Sequence, residues 1–418
     1  MEERNNPTCE KNLSKLFILA WVLGCLFYFI EYVARSAPAV MLKELAENFH
    51  VDSLRLSAIL GTYYYTYAVT SLIAGIALDR FGGKFAIAAG CLILAAGCFV
   101  FSLSDAFTGD IGRLLQGMGS AFAFTGCVYL ASHGFKAKYL ATAIGFTQCV
   151  GMLGGSAGQF VIAPMIQAGL TIKDFWIYSG VIATVICVLL YIITPKENIL
   201  QDGRGLKGIF APYKTVFKNP QSYLTGIISG LLFAPTTIFA MTWGVAFFQQ
   251  DRALSYHQAV LTCAMVPMGW VIGCPLLGWI SDKLGKRKPV LQLAVLVMFC
   301  AYLQLLFLPQ LMPVMVTMLI FGTASGAAMI PYSVIKEANP DEVKGSATGA
   351  QNFITFSITA MIGPIFAKLF GKTLGLSQDP AAHFQQAGTL FLITMILAFI
   401  GALMLKETGS AVKDKKSK

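Results

Sequence analysis

Three ionisable residues interrupt long apolar stretches of the sequence: Glu31, Arg35 and Arg113. Charge at membrane depth is costly, and such residues usually face a cavity. An arginine offers a planar fork of donors that suits a carboxylate, whereas a glutamate can bind an amine or carry a proton. We therefore predict that Arg113 binds a substrate carboxylate and Glu31 an amine or a proton. The alternative is an ion-pair network that only joins two helices or closes the outer mouth.

The spacing of these residues predicts which of them lie close together. Glu31 and Arg35 are four apart and share one helix face. Glu31 lies about 24 Å from the inner end of its apolar run, and Arg113 lies about 9 Å from the outer end of its own. In a bilayer core about 30 Å thick the two reach similar depth. We expect two pairs, Glu31 with Arg113 and Arg35 with Asp110.

The composition predicts the elements that must position these residues. The chain is 56% hydrophobic and 12% charged, with a mean hydropathy of +0.67, whereas a soluble domain has roughly 25% charged residues. Apolar runs of about 20 residues cross a bilayer, and without period-2 alternation they are helices. We predict an all-α polytopic membrane protein with twelve transmembrane helices in two pseudo-symmetric six-helix bundles. The predicted spans are 15–38, 55–78, 85–104, 107–132, 139–168, 174–194, 220–248, 255–281, 289–308, 311–335, 345–371 and 385–405.

The distribution of charge predicts the orientation. We expect a first bundle at 1–195, a cytoplasmic linker at 196–219, and a second bundle with a basic tail at 220–418. Both tails and the loops on their side hold most of the 31 Lys and Arg. Basic loops stay in the cytoplasm, so both termini are predicted to be cytoplasmic. The +10 net charge follows from this topology and does not indicate a nucleic-acid partner.

Two charged loops recur at the same place in each half of the chain. GIALDRFGGK at 75–84 follows the second predicted span, and GWISDKLGKRK at 278–288 follows the eighth. Their aspartates, Asp79 and Asp282, lie 203 residues apart in a chain of 418. Each aspartate ends a helix, where the macrodipole disfavours an anion, so each needs a cationic or helix N-terminal partner. A chain built from two repeats binds its ligand at their interface.

These loops, together with RLLQGMG at 113–119, resemble the signatures of the major facilitator superfamily. The resemblance covers the whole chain and implies a rocker-switch transporter whose first and fourth helices line the cavity. It also implies that the charged loops latch the cytoplasmic side when the cavity opens outward. The latch or gate residues are Asp79, Arg80, Gly83, Lys84, Asp110, Asp282, Lys283, Lys286 and Arg287. The fifth span lacks the Gly-Pro pair of the family's antiporters, which argues against drug export.

A narrower resemblance concerns YFIEYVARSAPAVM at 28–41, GTYYYTYA at 61–68 and GSAFAFTG at 119–126. These stretches are similar to the Pht-like subgroup, the phagosomal transporters of amino acids and related nutrients in intracellular bacteria, and to a lysosomal dipeptide transporter. The similarity implies a substrate class without naming the substrate. The candidate substrate-binding or coupling residues are Glu31, Arg35, Arg113, Tyr64, Gln116, Gln148, Trp243 and Asn352.

The sequence patterns do not indicate catalysis or a cofactor. GGSAG at 154–158 matches the hydrolase nucleophile pattern, but it lies within an apolar span rather than at a strand-to-helix turn. No GxxxxGK[ST] loop is present, so ATP-driven pumping is not indicated. The four histidines show no metal-ligand spacing, and no metal site is predicted.

The sequence therefore predicts a secondary transporter, with three function classes open. The first imports an amino acid or small peptide, with protons as a candidate coupling ion. The second moves an anionic metabolite or carboxylate siderophore and would use Arg113 and Arg35 with less need of Glu31. The third is a non-transporting membrane receptor. We expect a monomer in the bacterial inner membrane, with the bilayer and a small-molecule substrate as its partners.

Overall fold

A computed structural model describes residues 7–135, 137–196, 211–307, 311–340, 343–373 and 380–409. In this part of the chain the regular elements are all helices, and eleven of them are long and apolar enough to cross a membrane. Residues 53–81 form a further long helix that is not among these eleven. It is separated from the next span by Gly82, whose φ of 74° and ψ of 167° are not helical. The predicted all-α polytopic architecture is confirmed, and the predicted count of twelve spans is reached when the helix at 53–81 is included.

The bounds of the helices agree with the predicted spans to within about three residues, except that α1 begins at Pro7 rather than 15 and α16 at Pro380 rather than 385. The first half contains α1 (Pro7–Ser36), α2 (Leu42–Phe49), α3 (Ser53–Phe101), α4 (Ala106–Gly134), α5 (Ala137–Phe160), α6 (Ile162–Gln167) and α7 (Ile172–Ile193). The linker contains α8 (Ala211–Lys218). The second half contains α9 (Pro220–Ala234), α10 (Gly244–Gln250), α11 (Tyr256–Leu284), α12 (Lys288–Leu306), α13 (Val314–Ser325), α14 (Ile330–Ala338), α15 (Lys344–Thr373) and α16 (Pro380–Met404).

One irregular segment lies at the outer end of the first span, and another interrupts the seventh span. The first is a 3₁₀ turn at Ala37–Val40, and the second is a π-helix at Pro235–Trp243 that joins α9 to α10. Each segment contains a proline near its start, at Pro38 and Pro235, and proline removes one backbone donor from a helix. Short π-helical turns often accompany functional sites. Both segments contribute residues to the cavity described below.

Glycines bring α3 and α4 into backbone contact. A Cβ atom at Gly117 would overlap the carbonyl oxygen of Tyr63. In addition, the Thr66 hydroxyl donates a 2.7 Å hydrogen bond to the carbonyl of Leu114. Asp105 caps the start of α4 by accepting from two backbone N–H groups. The cap and the close contact fix the register of α4 and thus the position of Arg113, one turn before Gly117.

We predict that Gly117→Ala destabilises the protein by about 1–3 kcal/mol, because the added methyl meets rigid backbone. The matched control is Gly145→Ala in α5, where a Cβ has no neighbour within 4 Å and alanine favours the helix. Thermal unfolding of the purified variants should show a lower Tm for Gly117→Ala alone. Equal Tm values for both variants would contradict the packing argument.

The two halves meet along two seams. On one side, α5 contacts the second half through Ser156, whose hydroxyl donates to the carbonyl of Ala264 at 2.9 Å, and through Gln159, whose amide donates to the carbonyl of Ala240 at 2.8 Å. On the other side, α15 contacts α3 through Phe356, whose ring centroid lies 4.3 Å from that of Tyr67. A cavity remains between these seams. The bundle limits at residues 195 and 220 stay a prediction.

Candidate substrate-binding site

The cavity lies between the halves, toward the end of the spans that the charge distribution places outside. Its empty volume is about 450 Å³, a figure that includes space open to solvent. The first half contributes Arg35, Pro38, Ser57, Leu60, Gly61, Tyr64 and Arg113 to its wall. The second half contributes Ile238, Thr242, Trp243, Thr359, Ala360, Gly363 and Pro364.

Arg35 and Glu31 form a fully buried ion pair on α1. Tyr63 of α3 joins them, because its hydroxyl accepts from Nε of Arg35 at 3.0 Å and donates to Oε1 of Glu31. The second carboxylate oxygen of Glu31 and Nη1 of Arg35 have no hydrogen-bond partner within the described structure. The pair is therefore strong but has one acceptor and one donor left for a ligand, a proton or water.

Arg113 is equally buried, but its contacts are all neutral. Its Nη1 donates to Oε1 of Gln116 at 2.7 Å and to the carbonyl of Ala34 at 3.2 Å, and its guanidinium lies 4.9 Å from the centroid of the Tyr63 ring. No carboxylate of a described side chain pairs with it, and Nε has no partner there either. Among Arg35, Arg113 and Glu31, one positive charge is thus uncompensated.

Both predicted ion pairs are wrong in this structure. Glu31 pairs with Arg35 rather than Arg113, because residues four apart on one helix are neighbours before any tertiary contact forms. Asp110 pairs with Arg55 at the start of α3, where both side chains are partly exposed and closer to the outer rim than Arg35. The prediction did not consider Arg55 as a partner. Arg55 is the first residue of the second predicted span, and its backbone N–H donates to the capping residue Asp52.

Aromatic rings surround the guanidinium of Arg35. Its Cζ lies 4.3 Å from the centroid of Tyr32, 4.9 Å from that of Tyr67 and 5.5 Å from that of Phe356. Cation–π contacts of this kind stabilise a desolvated cation by about 2 kcal/mol. Phe356 belongs to the second half, so Arg35 lies where the two halves meet.

The other candidate residues differ in their distance from the cavity: some line it and others lie away from its wall. Tyr64 and Trp243 line the cavity, and Gln116 positions Arg113. Gln148 accepts from the Tyr28 hydroxyl at 3.3 Å, Asn352 accepts from the Tyr332 hydroxyl, and neither belongs to the cavity wall. The sequence prediction missed Ser57, Gly61, Thr242, Thr359, Gly363 and Pro364. These residues are mostly small or hydroxylated and lie within spans at the depth of Arg35 and Arg113, and this was the feature of the sequence that could have indicated them.

Contacts close the interface between the halves above and below the cavity. At the outer end, the Tyr256 hydroxyl donates to the carbonyl of Val40 at 2.6 Å. At the cytoplasmic end, Tyr213 of linker helix α8 donates to the carbonyl of Leu72 at 3.3 Å, and a small apolar cluster around Val216 joins α8 to α14 and α15. Opening to either side requires one set of contacts to separate.

The second charged loop folds around Arg287. Its guanidinium pairs with Asp282 and, at 2.7 Å, with Glu337 of α14. The ammonium of Lys283 lies 4.9 Å from the Trp279 ring, whereas Lys286 is exposed. These contacts lie within the second half and provide the cationic partner expected for Asp282.

The first charged loop is described only in part. The side chains of Asp79 and Arg80 lie outside the described residues. The ammonium of Lys84 lies 5.0 Å from the ring of Tyr191, and a Cβ at Gly83 would contact the ring of Tyr129. A latch between the halves stays a prediction.

For this latch we predict that Asp282→Asn reduces transport while the protein still reaches the membrane. The amide removes the charge that pairs with Arg287, although Glu337 keeps its own contact. The control is Lys173→Gln at the start of α7, an exposed lysine outside the charged loops that forms no ion pair among the described contacts. Uptake normalised to the amount of protein in the membrane is the measurement, and wild-type uptake by Asp282→Asn would remove the assignment.

Glu407, just after α16, caps the start of α12. Its carboxylate accepts from the backbone N–H of Arg287 at 2.6 Å and of Lys288 at 3.1 Å, and also from Thr408 and Gly409. Partial burial alone would raise the pKa of Glu407, but these four backbone bonds outweigh it and lower the pKa below its ordinary value. The stabilisation is therefore present above the unfolded-state pKa and is lost as pH falls through the folded-state pKa.

We predict that Glu407→Gln lowers the Tm at neutral pH and that the difference from wild type shrinks below the ordinary carboxyl range. The amide keeps the shape but loses the anion that favours a helix N-terminus. Tm measured from neutral to acidic pH tests this. The control is Glu47→Gln, because Glu47 is exposed with only a 4.0 Å contact to Lys43. A difference between Glu407→Gln and wild type that stays constant with pH would contradict the capping role.

Comparison with known proteins identifies relatives of this chain. Residues 24–364 match the family described as the Major Facilitator Superfamily. A probable sulfoacetate transporter of Cupriavidus necator is 24% identical, over 65% of this chain and 67% of its own. A hexuronate transporter of Bacillus subtilis is 21% identical, over 92% and 95%. A lysosomal dipeptide transporter of Danio rerio is 23% identical, over 72% and 69%.

Among solved structures, the fold is similar to that of a bacterial homolog of the human lysosomal transporter Spinster, in an inward-facing and unoccupied conformation. The TM-score is 0.72 over 93% of this chain and 97% of that chain, at 13% identity. An identity this low supports a common fold and carries no information on the substrate. The narrower resemblance to the Pht-like subgroup is not confirmed by these matches and stays a prediction.

Proposed function

The chain belongs to the Major Facilitator Superfamily, and on that premise we propose that this transporter moves a small organic carboxylate by alternating access. Arg113 is the residue that binds the carboxylate in this proposal, and Gln116 positions it. Arg35, paired with Glu31, lies beside the same cavity. Because both arginines belong to the first half of the protein, the anionic end of the substrate would bind to that half.

One observation carries the proposal: Arg113 is buried in the cavity wall without a carboxylate partner among the described side chains. A buried, uncompensated charge is expensive, and an intramembrane charge without a structural partner usually serves a ligand. A bound carboxylate would pair with Arg113 through charge-assisted hydrogen bonds. The sulfoacetate and hexuronate transporters among the relatives, which are named for anionic substrates, support the same class.

The second candidate is an amino acid or small peptide, the class that the sequence favoured first. Oε2 of Glu31 has no hydrogen-bond partner within the described structure and could accept from a substrate amine. The dipeptide transporter among the relatives supports this candidate. It is less favoured because Arg35 already compensates the charge of Glu31, whereas Arg113 has no carboxylate partner among the described side chains.

The test compares ligand-induced thermal stabilisation of the purified protein by two panels. The first panel contains mono- and dicarboxylates, and the second contains neutral amino acids and dipeptides. A ligand that binds only the folded state stabilises it by RT ln(1 + [L]/Kd). Stabilisation by carboxylates, followed by counterflow of the best one in proteoliposomes, is the expected result. Stabilisation by amino acids alone would replace the proposal, and binding without counterflow would favour a receptor.

Three further assignments are part of the proposal. We propose a monomer, because the cavity is formed by the two halves of one chain. We propose the bacterial inner membrane as the location, from the distribution of basic residues. Protons remain the candidate coupling ion, with Glu31 as the residue that would carry them.

A further inference from the structure

The two walls of the cavity differ in what they offer to a ligand. The first half provides buried guanidinium groups, with Nη1 of Arg35 and Nε of Arg113 lacking a hydrogen-bond partner within the described structure. Guanidinium groups are donors only. This wall therefore suits an acceptor with negative charge.

The second half provides hydroxyl groups whose hydrogens are already used. The Thr242 hydroxyl donates to the carbonyl of Thr237 at 2.9 Å, and the Thr359 hydroxyl donates to the carbonyl of Thr355 at 3.2 Å. A hydroxyl has one donor hydrogen and two acceptor lone pairs. Since the hydrogen is committed to the backbone, each oxygen offers a ligand only acceptor positions. A substrate hydroxyl can donate to such an oxygen, whereas an ionised carboxylate cannot.

Charge leads to the same distinction. The described residues that the second half contributes to the cavity wall include no charged side chain. A second carboxylate placed against them would lose its hydration without gaining a cation, and burying such a charge is costly. An uncharged hydroxyl in the same place would lose little, because acceptors are available.

We propose that the cavity selects hydroxylated monocarboxylates over dicarboxylates of the same length, with Thr242 as a specificity-determining residue that accepts from a substrate hydroxyl. This inference depends on the proposed function, because it takes Arg113 as the carboxylate-binding residue. Thr359 contributes a second acceptor on α15. Thr242 is the better test position, since it is partly exposed whereas Thr359 is fully buried.

The first experiment uses the wild-type protein and matched pairs of acids. Glycerate is compared with tartronate, and gluconate with glucarate, so that each pair differs in one end group at constant carbon number and configuration. Thermal stabilisation gives the relative Kd values. We expect the monoacid of at least one pair to bind at least tenfold more tightly than its diacid.

The second experiment uses Thr242→Val, which keeps the shape and removes the acceptor. We expect gluconate affinity to fall about two- to tenfold, the usual range for one neutral hydrogen bond, while hexanoate affinity stays constant. The control is Thr262→Val on α11. Like the Thr242 hydroxyl, the Thr262 hydroxyl donates to a backbone carbonyl of the preceding turn, that of Gln258. Thr262 is, however, not part of the cavity wall. A third variant, Thr242→Lys, should bind glucarate at least tenfold more tightly than wild type.

The outcomes separate this inference from the proposed function. If diacids bind as tightly as monoacids to the wild type, and Arg113→Ala removes the binding of both, the proposed preference for monoacids is wrong. The proposal that the protein transports carboxylates then still stands. Equal losses for gluconate and hexanoate in Thr242→Val would also overturn the role of Thr242. If none of the acids binds and an amino acid does, the proposed function itself fails.

Discussion

Arg113→Ala is expected to abolish the binding and transport of carboxylates. The lost interaction is a buried, charge-assisted contact, and truncating one partner of such a pair costs at least about 2–5 kcal/mol, or roughly thirtyfold to several thousandfold in Kd. The ligand-free variant should fold, because Arg113 donates only to neutral groups, Gln116 and the carbonyl of Ala34. Thermal stabilisation by the best carboxylate should vanish while the ligand-free Tm stays close to wild type.

A conservative variant and a matched control test this interpretation of Arg113. Arg113→Lys should restore binding poorly, because an ammonium cannot reproduce the planar, bidentate fork. Arg55→Ala removes another arginine from the outer half, one that pairs with Asp110 in a partly exposed position, and it should leave affinity unchanged. If Arg113→Ala binds and transports like wild type, Arg113 is structural and the carboxylate site lies elsewhere.

The sequence was sufficient for the fold because membrane crossing leaves few alternatives. An apolar run of the correct length must form its hydrogen bonds internally, so the helical class and eleven of the spans follow from hydropathy. One feature required the backbone. The second and third spans join at Gly82 so tightly that they form one nearly continuous helical element, and only the non-helical φ and ψ of Gly82 divide it.

The site was predicted less completely, because depth along a helix does not determine which way a side chain points. Arg35 and Arg113 do line one cavity, and Glu31 pairs with Arg35, but this pairing depends on helix rotation. The rotation of α4 is fixed by the Gly117 contact with the backbone of Tyr63. Gln148 and Asn352 lie within spans as predicted, yet they hydrogen-bond to tyrosines of their own halves.

The opposite wall was missed for a chemical reason. Threonine is common in membrane helices as a donor to its own backbone, so Thr242 and Thr359 carried no distinctive signal in the sequence. Thr242 and Thr359 become candidate substrate-binding residues only because both line the same cavity as two arginines. The asymmetry between the halves, cationic on one side and neutral on the other, is a property of the assembled bundle.

Glu31→Gln is expected to separate substrate binding from proton coupling. In the wild type Arg35 is held by Glu31 and by Tyr63. Protonation of Glu31 would remove its charge and release Arg35 to assist Arg113 in binding an anion. Glutamine imitates the protonated form, since its amide oxygen can still accept from Tyr63 and Arg35. The variant should therefore bind carboxylates at least as tightly as wild type, and its affinity should no longer depend on pH.

Two transport assays in proteoliposomes test this expectation side by side. Counterflow, which requires only exchange of bound substrate, should survive in Glu31→Gln, whereas accumulation driven by a pH gradient should be lost. The matched control is Glu47→Gln, because Glu47 also has a cationic neighbour four residues away on its helix, Lys43, but both side chains are exposed. Both assays should stay at wild-type levels in this variant. Loss of counterflow together with a lower Tm would assign Glu31 to structure alone. Weaker binding at every pH would instead assign it to a substrate amine, because only an amine loses a partner when the carboxylate becomes an amide.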